Sequence, residues 1–149
     1  MLQTAMLWHP MEQSLIFWPV IALAILTFIV LIQVPIRRFA SVRKGEVTRE
    51  DFKLGESSRV PEFVALANRN YMNLLELPVL FYVLCLSLFV TGMVTPLLYW
   101  LAWTYVGLRV LHSANHIIIN HVMLRLLAFA LSNFVLLAMW VVFAILLAG

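Results

Sequence analysis

Polar residues are so widely spaced along this chain that four apolar stretches stand out. Leu15 to Ile36 carries no charge over 22 residues. As a helix it spans about 33 Å, enough for a bilayer core of about 30 Å. Leu74 to Val90 is broken only by Glu76, and Leu97 to Ile119 by Arg109, His112 and His116; Val122 to Ala148 holds the single charge of Arg125. Backbone groups cannot stay unpaired in lipid, and the alternation of a barrel strand is absent, so each stretch is predicted to be a helix. The expected fold is all-α: one integral membrane domain over residues 1–149, a left-handed antiparallel four-helix bundle. Its helices are expected at about 15–36, 61–90, 96–119 and 122–148. A signal peptide is the competing reading of the first stretch. Met1 to Ser14 contain no Lys or Arg, and the run exceeds the usual core of about 7–15 residues, so it reads as a retained helix.

Composition agrees with the pattern. Hydrophobic residues make up 64% and charged residues 11%, against about 25% charged in a soluble domain. The mean hydropathy is +0.98. A cytosolic enzyme, a disordered regulator and a nucleic-acid binder are excluded on these grounds. The net charge of +3 does not imply nucleic acid, because seven of the ten basic residues lie between Arg37 and Arg59. That loop, about 37–60, is predicted to be cytoplasmic by the positive-inside rule, which puts both termini and the 91–96 turn outside. The turn near Asn120–His121 then lies inside. Trp8, Trp18, Tyr99, Trp100 and Trp103 fall near the outer boundary, as an aromatic belt would. Cys85 is the only cysteine, so no intramolecular disulfide can form, and its apolar setting makes it a packing residue.

Punctuation refines the second helix. Pro61 followed by Glu62 suits a helix start, since proline fits the first turn and an acidic residue the positive helix end. Pro78 is expected to kink that helix inside the bilayer.

The costly residues carry the chemistry. Arg69, Asn73 and Glu76 have helical offsets of 0, 4 and 7, which is one face. Arg109, His112, His116 and Asn120 fall at 0, 3, 7 and 11, again one face, and Arg125 and Ser132 are seven apart. Each mid-membrane charge costs roughly 2.5–3.5 kcal/mol on insertion scales, so these groups face the bundle and pair or line a cavity. The plain reading is interhelical glue, with Glu76 paired to Arg109. Against it stands the imbalance of three arginines (Arg69, Arg109, Arg125) to one deep carboxylate. Such a surplus suits an anionic ligand that also carries an amine, such as a peptide-like thiol, because guanidinium groups bind carboxylates bidentately. His112 and His116 at i, i+4 are a possible metal pair, but Arg109 beside them disfavours a dication and no metal is expected. No phosphate-binding glycine loop, nucleophile elbow, internal repeat or low-complexity segment is present.

The segment Ala67–Pro78, with its Arg69, Asn73, Glu76 and Pro78, resembles the second-helix signature of the MAPEG family, the membrane-associated proteins in eicosanoid and glutathione metabolism. Arg109 to His116 resembles the family's third-helix Arg–x–x–His signature, and Arg125 sits where the family has an arginine opening its fourth helix. The resemblance covers almost the whole chain. It implies a homotrimer in contact with membrane lipids, with glutathione as co-substrate bound between neighbouring subunits near the cytoplasmic side. It also implies roles: Arg69, Asn73, Glu76, Arg109, His112 and His116 as glutathione contacts, Arg37 or Arg38 as another, and Arg125 as the catalytic residue that stabilises the thiolate. His116 stands where several members have tyrosine, and Leu126 where the prostaglandin E synthase branch has serine. Eicosanoid synthesis is therefore not implied, and a bacterial branch, in the inner membrane, fits better.

The resulting expectation is a glutathione-dependent transferase or peroxidase acting on a lipophilic small molecule. A binding or structural protein that keeps the fold without turnover is the alternative. A small transporter would favour broken helices and inverted repeats, which the sequence does not show.

Overall fold

The computed structural model describes residues 11–53 and 55–149; the belt position expected at Trp8 lies outside them. A 3-10 turn, Gln13–Ile16, leads into α1 (Phe17–Arg43). Helix α2 (Glu62–Leu75) and α3 (Pro78–Thr91) follow, then α4 (Pro96–Ala114), a π-helical turn (Asn115–Ile119) and α5 (Val122–Ala148). The described residues contain no strand. With α2 and α3 as two halves of one span, this is a four-helix bundle.

Helix α1 does not stop at Ile36 but runs on to Arg43. Its polar last two turns leave the apolar zone while the backbone stays helical. The second span is broken rather than merely kinked. Pro78 has no N–H to bond back to Leu74 and its ring crowds that turn, so α2 ends at Leu75. Glu76 leaves helical geometry at φ −81°, ψ −94°, and Pro78 becomes the first residue of α3. Thr95 caps α4, its hydroxyl accepting from the Leu98 N–H at 3.3 Å. His121 caps α5 through Nδ1, which accepts from the Leu124 N–H at 3.3 Å. Both caps satisfy a donor that the first turn would otherwise leave unpaired.

Three segments are long and apolar enough to cross a membrane: Gln13–Arg43, Glu62–Thr91 taken through its break, and Val122–Ala148. Helix α4 is the exception, because Arg109, His112 and its tyrosines and tryptophans lower its hydropathy. It tolerates them as an interior helix, packed along α5 and against α1, with Leu98, Ala102, Tyr105, Arg109 and Ser113 at 3% exposure or less. Phe81 of α3 stacks on Tyr105 with ring centroids 4.7 Å apart, a pairing worth about 0.5–1.5 kcal/mol beyond its buried area. Residues such as Ile25, Phe28, Ile32 and Ile36 of α1 stay exposed, as a lipid-facing surface requires. The chain is a membrane protein.

The loop after α1 is organised around Asp51. Its carboxylate accepts from the Thr48 N–H at 2.9 Å, the Ser57 hydroxyl at 2.7 Å and Arg59 Nε at 3.0 Å. Led by the Thr48 backbone bond, these donors hold its pKa down to about 2 from 3.8. The sign follows from linkage: the depressed carboxylate stabilises the loop above about pH 4, and that contribution is lost as pH falls towards 2. Asp51→Asn is therefore expected to speed tryptic cleavage at Lys53 and Arg59 in the detergent-solubilised protein at pH 8. Pepsin cleavage of the wild-type loop should quicken between pH 4 and 2; a tryptic rate unchanged by the substitution would show that the loop is held by other contacts.

Candidate functional site

The break at Glu76 and the π-helical turn after α4 lie on the two sides of an open cleft of about 470 Å³. One wall is α2 with Arg69, Met72 and Asn73, ending at Glu76; the other is formed by His112, His116, Arg125 and Phe129. Six of the eight residues singled out from the sequence thus meet in one place. Asn73 is tied to its own helix, its amide donating to the Arg69 carbonyl at 2.9 Å. Glu76 makes no ion pair among the described residues.

The histidines are placed by the end of α4. His112 Nδ1 lies 3.0 Å from the Arg125 carbonyl. That oxygen can only accept, so Nδ1 carries the hydrogen. The outer nitrogen, Nε2, is buried without a hydrogen-bond partner, and both ring nitrogens of His116 are too. The two rings are 5.7 Å apart, edge to face. A buried polar atom without a partner is costly, and here three of them sit on cleft-lining side chains. No group of three metal-ligating side chains occurs among the described residues.

Arg125 opens α5. Its Nη1 donates to Asn120 Oδ1 at 3.1 Å, and Asn120 Nδ2 donates to Glu62 Oε1 at 2.8 Å. Asn120 sits in the left-handed region at φ 51°, its N–H closing the π-helical turn on the Asn115 carbonyl at 2.7 Å. The wider turn shifts Asn120 off the α-helical phase expected from its spacing, and so turns its side chain towards Glu62 and Arg125 rather than along the histidine stripe.

Two expected contacts lie elsewhere. Arg109 does not line the cleft. It is wholly buried behind Phe129, donating through Nε to the Tyr105 hydroxyl at 3.1 Å and through Nη2 to Asn133 Oδ1 at 2.9 Å. Its guanidinium carbon lies 5.2 Å from both the Tyr105 and Phe129 ring centres. It therefore pairs with an amide, a phenol and two aromatic faces, not with Glu76 as the glue reading had it. Asn133 was missed in the sequence, although it is one of only two polar residues, with Ser132, in α5 beyond Arg125. Arg37 is also outside the cleft: Nη1 donates to the Phe63 carbonyl at 2.8 Å and Nη2 to Gln33 Oε1 at 3.2 Å, binding α1 to the start of α2. Arg38 lies beside Glu56 at 3.6 Å and over the Phe52 ring.

Together these features define a class: a four-helix membrane bundle with a cationic and imidazole-lined cleft cut into a broken helix. The MAPEG family profile matches residues 16–145, nearly the whole chain, and the protein belongs to that family. Comparisons with curated proteins and with solved structures returned no match.

Proposed function

We propose that the cleft binds glutathione and activates its thiol, making the protein a membrane-embedded glutathione-dependent transferase or peroxidase. The observation that carries this reading is the convergence of two arginines, one carboxylate, two amides and two imidazoles with unpartnered ring nitrogens on a single cleft. Glutathione presents carboxylates, an amine and a thiol, and the donor set complements each. Arg69 would take a carboxylate through its guanidinium fork, and Glu76 the amine. Asn73 and His116 would take peptide groups. Arg125 would face the sulfur. Arg37, placed outside the cleft of its own chain, enters only as a contribution from a neighbouring subunit of a homotrimer.

A free thiol has a pKa near 8.5, so only a few per cent is thiolate at pH 7. A guanidinium beside the sulfur in a low-dielectric site favours the anion. The thiolate can then attack a lipophilic electrophile, forming an S–C bond as the leaving group departs with its electron pair. With a lipid hydroperoxide, it attacks the O–O bond and releases the alcohol. The resulting sulfenic acid condenses with a second glutathione to give disulfide and water. No metal is needed for either route. Substrates of both kinds partition into the bilayer, from which an open cleft in a membrane bundle could take them.

Titration of the purified protein in detergent with glutathione, followed by chlorodinitrobenzene conjugation and hydroperoxide reduction, tests the reading. Saturable binding with either turnover supports it. Binding without turnover would favour a non-catalytic binding protein that keeps the fold, and no binding would reject both.

Orientation is part of the proposal: loop 37–60 cytoplasmic, both termini outside, in a bacterial inner membrane. Ser41 is buried and bonded to Glu46, so Ser58, which is exposed, is the better labelling position. In a Cys85→Ala background, Ser58→Cys is expected to react with a membrane-impermeant maleimide only after the cells are opened. Reaction in intact cells would invert the topology.

A further inference from the structure

The link Glu62–Asn120–Arg125 joins the head of α2 to the first turn of α5, across 58 residues of sequence between Glu62 and Asn120. These helices carry opposite walls of the cleft. We propose that Asn120 is a positioning residue that clamps Arg125 to Glu62 and so sets the direction in which Arg125 presents its remaining N–H groups to the bound thiol.

The chemistry of the three side chains fixes the arrangement. A guanidinium only donates and a carboxylate only accepts. The Asn120 amide must therefore turn its oxygen to Arg125 and its nitrogen to Glu62, and the reverse orientation would oppose donor to donor and acceptor to acceptor. The two bonds polarise one another in the same sense. Only Nη1 of Arg125 is engaged by a side chain among the described residues, which leaves Nη2 and Nε for a ligand. The backbone supports the same role. Asn120 holds a left-handed conformation at φ 51°, which asparagine tolerates better than most residues, and this lets one short side chain reach both helices. Glu62 is also the first residue of α2, where its charge favours the helix end, so the clamp is anchored to the same helix that carries Arg69 and Asn73.

The inference rests on the glutathione reading, and its test separates the two. Asn120→Gly removes the amide while keeping a residue at ease with φ 51°. In the full-length protein in detergent, the ionisation of bound glutathione is followed by thiolate absorbance against pH. The midpoint of Asn120→Gly should move alkaline by about half a pH unit or more, about threefold less thiolate at a given pH below the midpoint. Glu62→Gln, whose side-chain oxygen can still accept from Asn120, should stay near wild type, while Glu62→Ala should move in the same direction as Asn120→Gly. A purely structural role would lower thermal stability and leave the midpoint alone; an unchanged midpoint with glutathione bound overturns the proposal. Independently of any ligand, a thermal-unfolding cycle over Asn120→Gly and Arg125→Leu reads their coupling. Additive effects overturn the clamp. Coupling in a protein that shows no bound thiolate would uphold the clamp and overturn the glutathione reading instead.

Discussion

Arg125→Leu is expected to raise the pKa of bound glutathione by at least about one unit while binding persists through Arg69, Asn73 and Glu76. An opposite charge at contact distance lowers an acid's pKa by about 1–3 units, and each unit lost is about 1.4 kcal/mol of differential stabilisation. The pH–rate profile for conjugation should move alkaline by the same amount, with about tenfold less turnover at any pH well below the wild-type midpoint. Arg125→Lys should recover part of the shift, because an ammonium restores the charge without a planar fork that could hold Asn120 and a sulfur together. The competing role for Arg125 is anchoring α5 to lipid headgroups. That role predicts poorer insertion or stability with the bound thiol titrating as in wild type. Retained binding with an unmoved titration would take Arg125 out of the mechanism.

Glu76→Ala and Arg69→Ala should each weaken glutathione binding by about 2 kcal/mol, the lower end for truncating one member of a desolvated charge pair, or about thirtyfold in Kd. The lower end applies because both side chains are open to the cleft in the single chain and lose water only when the ligand arrives. Glu76→Gln should cost nearly as much, since it keeps the shape of Glu76 and removes the charge that holds an amine. Titration calorimetry at pH 7 reads all three. Unchanged constants in Glu76→Ala and Arg69→Ala would return the stripe to the role of interhelical packing.

Much of the bundle was legible because a bilayer leaves few alternatives. Uncharged runs of this length must be helices, and the 3.6-residue period put Arg69, Asn73 and Glu76 on one face and His112 and His116 on another, which is where the cleft has them. Periodicity gives the face of a residue and not its depth. Arg109 shares the stripe of His112, yet lies behind Phe129 with Tyr105 and Asn133. Pro78 announced a disturbance, but a proline can either bend a helix or end it, and here Glu76 leaves helical geometry altogether at φ −81°, ψ −94°. The end of α1 at Arg43 was hidden because charges mark where lipid ends, not where a helix ends. Nothing in the sequence relates Glu62 to Asn120. Their contact needs the π-helical turn, whose extra residue breaks the period that made the rest readable.

One measurement bears most directly on the central claim that this cleft binds glutathione as its thiolate. Glutathione is titrated into the purified full-length protein at pH 7 while absorbance in the thiolate band is recorded, with S-methylglutathione as the thiol-free control. The account predicts a saturable thiolate signal that the control abolishes by competition and that Arg125→Leu lowers, by about tenfold per unit of pKa rise where pH 7 lies well below both midpoints and by less where the wild-type midpoint lies below pH 7. Saturable glutathione binding with no thiolate absorbance, or none beyond that of free glutathione at the same pH, would contradict it.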